Sequence, residues 1–445
     1  MNHQAAEAGV SVSDGARQHP DPFRAKQGIA PLLVTGPARS GTTLVARLLS
    51  AHDQVDMAVD PLLPLVRAAR NVLTRDTPMP PAPSAPLQDC YGSSERAAWF
   101  RAMLDGDLRV PLAAGALDEV RPAIARRCAY ESPDLVDLAE GLRGESVAEA
   151  LEIFLVGVKQ RRGSSDDALV GLKEVWAADL VPAFLRAFPG ARAVLVRRDP
   201  RAVLASNLAM ARQDPGQVAH PLSVLRHWRK QEAVCAWLAC RPDLGERAFV
   251  MSYENLLADP HAVLAELCAF LGIEADVGMT DPRRVRDAEG KEFVANTSFE
   301  APGAGLVPEL ANRWRTALPP ARGELTEFIC GAEMIAAGYA CEYGEEDQDL
   351  PFRVLAQIVD DHRTSWSWRS DVEAPALDLG LELVRRGALT TGRDLDADLE
   401  AALFLVPEAR RALSGSVVPA CPDVHPVESH PRARTSPSRR AQESE

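Results

Sequence analysis

The sequence predicts an α/β protein in which a central parallel sheet is flanked by helices in three layers, with a small, mostly helical C-terminal extension. Three observations point to this architecture. A short apolar run at 32–34 ends in a glycine-bearing turn and passes directly into a helical pattern at 44–49. A second strand, turn and helix follow at 193–207, and strand and helix patterns alternate from 168 to 272. Such alternation is typical of parallel strands whose connecting helices cover the sheet.

The first turn has the composition of an anion-binding loop. It reads Gly-Pro-Ala-Arg-Ser-Gly-Thr-Thr over residues 36–43 and leads into the helix. The N–H groups at a helix N-terminus lack partners within the helix, and the helix dipole favours an anion there. Arg39 adds a planar guanidinium that suits phosphate or sulfate oxygens. Thr42 stands where the loop of nucleotide kinases has its lysine, which argues against a kinase.

The second turn carries a cluster of arginines. Arg198 lies at the predicted end of its strand, and Ser206 lies two helical turns further along the chain. Asp199 between them is a residue that favours the start of a helix. The alternative interpretation is that Arg197, Arg198 and Arg201 form a solvated basic turn without a ligand.

These two turns resemble the nucleotide-binding loops of sulfotransferases that use 3′-phosphoadenylyl sulfate (PAPS) as sulfo donor. The resemblance covers roughly residues 30–345, has the spacing of tyrosylprotein and related Golgi-type sulfotransferases, and implies a P-loop-like fold. It assigns Arg198 and Ser206 to the 3′-phosphate of the cofactor. The residues that it implies at the 5′-phosphate and the sulfo group are Arg39, Ser40, Gly41, Thr42 and Thr43. Two anion sites suit a nucleotide that is phosphorylated at both ends.

Three further segments resemble the same family. Lys173 ends an apolar run and matches the strand lysine that contacts the sulfo group. Tyr253 follows another predicted strand and matches a tyrosine near the adenine. Ser298, in Asn-Thr-Ser-Phe, and Arg313, in Asn-Arg-Trp-Arg, resemble a late loop that closes over the cofactor. The resemblance thus implies catalytic roles for Lys173 and Ser298, and cofactor contacts for Tyr253 and Arg313.

Sulfo transfer to a hydroxyl requires a base that accepts the proton. Cytosolic sulfotransferases carry a histidine two residues after the strand lysine, where this chain has Val175. Tyrosylprotein sulfotransferases use a glutamate after the first loop, at the place where this chain has Asp60, which is one methylene shorter. Asp60 could instead cap the helix that follows it. Glu174, beside Lys173, is the second candidate base, and its alternative role is a salt bridge or a helix-cap contact.

Composition narrows the classes of function. The 445-residue chain is 46% hydrophobic and has a net charge of −14, which argues against a nucleic-acid-binding protein with its usual basic face. Its 8 cysteines are scattered singly, which is typical of free thiols in a reducing compartment. The N-terminal segment lacks a signal-peptide pattern, and no apolar run approaches about 18 residues. We therefore expect a cytoplasmic protein without a membrane segment, and the Ala, Arg and Pro content suggests a bacterial one.

The chain divides into a long central domain and less informative ends. Residues 1–28 are polar and aperiodic, which predicts disorder, and 29–345 form the predicted sulfotransferase domain. Within it, 94–162 have helical periodicity and form an insertion expected near the acceptor site. The extension at 346–418 is mostly helical and of unknown role, with dimerisation as one use, and 419–445 form a disordered tail.

One part of the extension is ambiguous. Leucines recur at every second residue over 376–384, so a short half-buried strand is as compatible with the pattern as a helix.

The function expected from these features is transfer of a sulfo group from PAPS to a hydroxyl of a small-molecule acceptor, either a secondary metabolite or a carbohydrate. We expect no role for a metal, a nucleic acid or a membrane in this reaction, and the sequence leaves open whether the protein is a homodimer. The alternatives are a P-loop small-molecule kinase and a non-catalytic nucleotide-binding protein.

Overall fold

A parallel β-sheet forms the centre of the protein. The computed structural model describes residues 29–162, 168–213, 220–286, 290–291, 306–343, 349–363 and 374–414. The strands in these ranges are β1 (Pro31–Gly36), β2 (Val55–Val59), β3 (Leu169–Val175), β4 (Arg192–Arg197) and β5 (Ala248–Ser252). They are parallel and lie in the order β2-β3-β1-β4-β5, so the first strand occupies the middle of the sheet.

Helices cover both faces of this sheet. Over the described residues they are, in chain order, α1 (Thr42–Ser50), α2 (Leu63–Thr74), α3 (Ser94–Asp105), α4 (Ala116–Glu131), α5 (Val136–Glu140), α6 (Val147–Arg162), α7 (Val181–Ala187), α8 (Pro200–Gln213), α9 (Pro221–Ala239), α10 (Pro242–Gly245), α11 (Tyr253–Ala258), α12 (Pro260–Leu271), α13 (Trp314–Ala317), α14 (Pro320–Ala336), α15 (Leu350–Arg363), α16 (Pro375–Thr391), α17 (Ala397–Phe404) and α18 (Pro407–Leu413). Short 3-10 turns occur at Pro133–Leu135, Ala178–Leu180, Val277–Thr280 and Pro308–Ala311. The predicted fold class, a helix-flanked parallel sheet with a helical C-terminal extension, is confirmed.

Alternate side chains of β1 enter two different hydrophobic cores. Leu32 and Val34 pack with residues of α1 and α12 on one face of the sheet. Leu33 belongs to a larger core on the other face, which includes residues of α2, α3 and α6 to α9. Successive side chains of a strand point to opposite faces, so a strand covered on both sides requires a continuous apolar run. The Leu-Leu-Val run of β1 meets this requirement.

The carboxyl ends of the five strands meet at one edge of the sheet. β1 lies between β3 and β4, and β2 and β5 are the outer strands. The order of the strands therefore reverses next to β1, which opens a crevice beyond the strand ends, the usual place for ligands in parallel α/β sheets. The backbone register pairs Gly36 with Val175 and Arg197 with Ser252, so the loops after these strands begin side by side.

The ambiguous segment at 376–384 is helical. It lies within α16, and its buried residues Asp378, Glu382 and Arg385 recur at helical spacing. Leu377, by contrast, is 63% exposed, although the leucine pattern would place it on the same face as Leu379. The strand alternative is therefore wrong, because buried ion pairs, rather than the leucines alone, determine the inward face of this segment.

The C-terminal helices share their interior with the rest of the protein. Arg226 and Arg229 of α9 form ion pairs with Asp378 and Glu382 of α16, at 2.6 and 2.8 Å. Apolar residues of α16, α17 and α18 belong to the same core as the helices on the α9 side of the sheet. Within the described ranges, no helix combines the length and apolarity needed to cross a bilayer.

Candidate active site

The loop between β1 and α1 turns through two left-handed residues. Arg39 has a φ of 72° and Gly41 a φ of 99°, and the Ser40 N–H donates to the Pro37 carbonyl at 3.1 Å. A Cβ atom added at Gly41 would lie 2.3 Å from Cδ2 of Tyr253. Both the backbone conformation and the close approach of this ring therefore require glycine at position 41.

The start of α1 offers several hydrogen-bond donors. Gly41 supplies no side-chain cap to this helix, and no acidic residue lies in its first turn. The first N–H groups of a helix have no acceptor within it. Ser40 and Thr42 are buried, and Ser40 Oγ has no hydrogen-bond partner among the described residues. Because a buried hydroxyl without a partner is costly, this set of donors fits an oxygen-rich anion such as phosphate or sulfate.

The two predicted anion-binding turns contact each other. Arg39 Nε donates to Ser206 Oγ at 3.1 Å, and Arg198 Nη1 donates to the Arg39 carbonyl at 3.0 Å. Burial and the nearby charge of Arg198 lower the pKa of Arg39 to about 10. Two guanidinium groups held together in a poorly solvated place create a positive potential that an anion would neutralise.

Aromatic residues hold Arg198 in place. Its guanidinium carbon lies 4.3 Å from the centre of the Tyr253 ring, which is a cation–π contact. The indole N–H of Trp228 donates to the Arg198 carbonyl at 2.8 Å. Arg198 Nη2 donates to the Leu310 carbonyl at 3.3 Å. Burial raises the pKa of Tyr253, so its phenol stays neutral where it touches Gly41 and Arg198.

The neighbouring arginines belong to the protein interior. Arg197 forms an ion pair with Glu232 at 2.5 Å. Arg201 is 2% exposed and binds Asp199 at 2.7 Å and Glu327 at 2.6 Å. The interpretation of this turn as a solvated basic cluster is therefore wrong, because carboxylates neutralise the charges of Arg197 and Arg201 inside the fold.

Asp60 follows β2 and forms an ion pair with Lys173 of β3. The distance between Asp60 Oδ2 and Lys173 Nζ is 2.5 Å, and the Asp60 N–H donates to the Lys173 carbonyl at 2.8 Å. The Lys173 side chain is 2% exposed, whereas that of Asp60 is 14% exposed. Asp60 has a φ of 51°, a conformation that few non-glycine residues adopt. The pair places a carboxylate and an ammonium near the carboxyl end of β2. Strand β3, which carries Lys173, separates β2 from β1.

Glu174 lies beneath this pair, inside the protein. It is 0% exposed, and its Oε1 accepts the N–H of Leu62 just before α2. Burial, and secondarily the charge of Asp60, raise the pKa of Glu174 to about 8. A carboxyl group without exposed surface has no contact with an incoming acceptor, so the geometry favours Asp60 over Glu174 as base. Asp60 makes no side-chain cap on α2, and the backbone contact expected at this helix start comes from Glu174.

Two charged residues of α4, which no sequence motif indicates, also surround Asp60. Arg127 Nε donates to the Asp60 carbonyl at 2.8 Å, and Arg127 Nη2 lies 4.0 Å from Asp60 Oδ1. Glu131 ends α4, and burial together with the charge of Asp60 raises its pKa. Arg127 is 67 residues away from Asp60 along the chain, so no local pattern reveals the contact. The predicted helical insertion at 94–162 therefore borders Asp60.

Comparison with known proteins identifies the family of the chain. A family model described as the sulfotransferase family matches residues 31–277, which is more than half of the chain. The chain belongs to the sulfotransferase family. A search of curated proteins gives no match.

Several solved structures are similar to this sulfotransferase at low identity. The sulfotransferase domain of the Synechococcus PCC 7002 olefin synthase is 17% identical, with a TM-score of 0.39, over 68% of this chain and 92% of that one. The sulfotransferase domain from the curacin biosynthetic pathway is 15% identical, with a TM-score of 0.40, over 71% and 99% of the two chains. Sulfotransferase STF9 from Mycobacterium avium is 16% identical, with a TM-score of 0.34, over 73% and 81%.

The remaining predicted residues of this sulfotransferase are less closely defined. Ser298 lies outside the described residues. Arg313 is half-buried and immediately precedes α13, whose Trp314 ring lies 4.0 Å from the guanidinium carbon of Arg201. Thr43, in the first turn of α1, is half-buried. The roles assigned to Ser298, Arg313 and Thr43, like those of the other predicted site residues, stay predictions.

Proposed function

We propose that this protein transfers the sulfo group of PAPS to a hydroxyl of a small-molecule acceptor, such as a secondary metabolite or a carbohydrate. The supporting observation is the contact between the two turns, in which Arg39, Arg198 and Ser206 form one cluster at the carboxyl edge of the sheet. A nucleotide with phosphates at its 3′ and 5′ positions requires two anion sites close together. The turns after β1 and β4 meet this requirement with separate arginines and separate helix starts.

The proposed cofactor contacts follow from this cluster. The start of α1, Ser40 Oγ and Arg39 would hold the 5′-phosphate and the sulfo group, because these donors lie in the first turn of α1 or directly before it. Arg198 and Ser206 would hold the 3′-phosphate. Binding would exchange the bond between Arg39 and Ser206 for bonds to anionic oxygens, which are stronger because both partners are charged or strongly polar.

In the proposed sulfo transfer, the residues beside the two turns have different roles. Bound PAPS supplies an activated sulfo group on a phosphate that can leave, and the in-line transfer of such groups depends mainly on positioning and charge stabilisation. In the proposed mechanism Asp60 accepts the proton of the acceptor hydroxyl. Lys173 orients Asp60 through their ion pair, and Lys173 and Arg39 stabilise developing negative charge. Glu174 remains the alternative base.

The acceptor is proposed to bind beside α4. This proposal is supported by the contacts of Arg127 with Asp60 and by the half-buried position of Glu131. No group of three or more His, Cys, Asp or Glu residues is placed to hold a metal within the described ranges, and a metal-free reaction stays a prediction. A cytoplasmic location and a homodimer stay predictions as well.

The test is an acceptor screen with the full chain and PAPS. Phenols, alcohols and carbohydrates are offered singly, and mass spectrometry detects the added sulfo group. We expect a sulfated product from at least one class and binding of 3′,5′-bisphosphoadenosine by calorimetry. Turnover of ATP with magnesium, without sulfo transfer, would support the kinase alternative. Nucleotide binding without single-turnover transfer from labelled PAPS to any acceptor would support a non-catalytic role.

A further inference from the structure

We propose that Arg127 of α4 is a positioning residue that holds Asp60 for proton transfer. The inference rests on the proposed function, in which Asp60 is the base. The observation that supports the inference is a double contact. Arg127 Nε donates to the Asp60 carbonyl at 2.8 Å, and Arg127 Nη2 lies 4.0 Å from Asp60 Oδ1. One guanidinium thus faces both the backbone and the carboxylate of the same residue.

Asp60 needs such support because its backbone is in an unusual conformation. Its φ of 51° lies in the left-handed region, and such a residue keeps this conformation when its surroundings hold it. The Asp60 N–H is held by the carbonyl of Lys173 on β3. The Asp60 carbonyl is held by Arg127. Strand β3 and helix α4 therefore fix opposite ends of the residue.

The end of α4 is itself attached to the strand that carries Asp60. Ser132 directly follows α4, and its Oγ accepts the Val59 N–H at 3.2 Å and lies 3.3 Å from the Val59 carbonyl, to which it donates. Arg47 of α1 donates to the Glu131 carbonyl at 3.4 Å. Since Val59 is the residue before Asp60, these bonds hold the C-terminal end of α4, and with it Arg127, close to the proposed base.

The charges around Asp60 indicate an indirect role for Arg127. Lys173 contacts Oδ2 directly, whereas Arg127 Nη2 is too far from Oδ1 for a hydrogen bond and acts on that oxygen through its charge. The Arg127 side chain is 34% exposed, so its guanidinium lies near the protein surface over the carboxylate. Its bond to the backbone carbonyl holds the main chain of Asp60, from which the carboxylate projects, in place.

The experiment compares Arg127→Gln and Arg127→Lys with the full wild-type chain, using PAPS and an acceptor found in the screen. Arg126→Gln is the matched control, because Arg126 is the exposed neighbour on the same helix and loses the same charge. We expect Arg127→Gln to lower kcat about tenfold or more, which corresponds to loss of one charge-assisted hydrogen bond. The KM for PAPS should stay within about twofold, and Arg127→Lys should restore part of kcat.

Chemical rescue separates positioning from folding. Millimolar guanidinium chloride, far below denaturing concentrations, should raise kcat of Arg127→Ala while leaving wild type and Arg126→Gln unchanged. Wild-type kcat in Arg127→Gln would overturn the inference, as would equal losses in kcat and in calorimetric affinity for 3′,5′-bisphosphoadenosine. Absence of any sulfo transfer by the wild type would instead reject the proposed function, so the two failures are distinguishable.

Discussion

Arg198 donates a hydrogen bond to the carbonyl oxygen of Arg39 at 3.0 Å, so the side chain of one proposed anion-binding turn is tied to the backbone of the other. Arg39 in turn reaches across to Ser206, on the helix that follows Arg198. The two turns are therefore one structural unit rather than two independent sites. In the proposed site, a phosphate bound at either turn would restrain the arginine of the other, so we expect the two phosphates of one nucleotide to be bound cooperatively.

Replacing Arg198 tests the second anion site. We expect Arg198→Ala to weaken binding of 3′,5′-bisphosphoadenosine about tenfold or more, because a charge-assisted hydrogen bond contributes about 1.5–3 kcal/mol. Calorimetry measures the affinity, and Arg126→Ala, which removes an exposed arginine of α4, is the control for net charge. Unchanged affinity in Arg198→Ala would remove this residue from the cofactor site.

Amide substitutions distinguish the two candidate bases. Asp60→Asn should reduce kcat by about a hundredfold or more, since it removes the group that accepts the proton, and should leave the KM for PAPS nearly unchanged. Glu174→Gln should have a much smaller effect on kcat, because its amide oxygen can still accept the Leu62 N–H. Steady-state kinetics of both variants decide the matter, and the reverse ranking would transfer the role of base to Glu174.

Glu174 should also make stability depend on pH. Its pKa is raised from the ordinary 4.5 to about 8, so the folded protein holds a proton that the unfolded chain releases. The resulting stability is fully present below about pH 4.5 and is lost as the pH rises through about 8. Between pH 5 and pH 8.5 the Tm of the wild type should fall several degrees further than the Tm of Glu174→Gln, because only the wild type has this buried carboxyl group to ionise. Parallel Tm curves for the two proteins would contradict this account.

A methyl group at Gly41 should damage the first loop for two reasons. Gly41→Ala forces a left-handed alanine, which costs about 1 kcal/mol, and places Cβ against the Tyr253 ring. Gly115→Ala is a matched control, because Gly115 has a φ of 80° but open space around its Cα. Both variants should lose stability in chemical denaturation, and Gly41→Ala should also lose nucleotide affinity. Equal affinities in the two variants would show that Tyr253 tolerates displacement.

Much of the fold was predictable because its signals are local. The apolar runs and the turns behind them are contiguous in the chain, so the alternation from 168 to 272 predicted the strands β3, β4 and β5 with helices between them. The family resemblance followed from the same contiguous motifs, and the family match confirms it. The inward face of α16 was harder to predict, because it depends on partners in α9 that lie far away in sequence.

The surroundings of the candidate base were less predictable. Asp60 and Lys173 were each indicated by a motif, but their ion pair depends on the pairing of β2 with β3. Arg127 was invisible because the docking of α4 on Asp60 has no sequence signature. Glu174 illustrates the opposite case, since its neighbour Lys173 suggested an active-site position, whereas its own carboxyl group is 0% exposed and accepts the Leu62 N–H.

The ion pairs between α9 and α16 limit where the chain can be shortened at its C-terminal side. A polypeptide ending at residue 345, where the recognisable motifs stop, would deprive Arg226 of Asp378 and Glu382 and leave Arg229 with Glu333 alone. Unpaired cations inside a protein are strongly destabilising. Because α9 also carries Trp228, whose indole N–H donates to the Arg198 carbonyl, we expect the loss to disturb the proposed nucleotide site as well. We therefore expect a chain shortened before α16 to be unstable, even though it would keep every recognisable motif of the family.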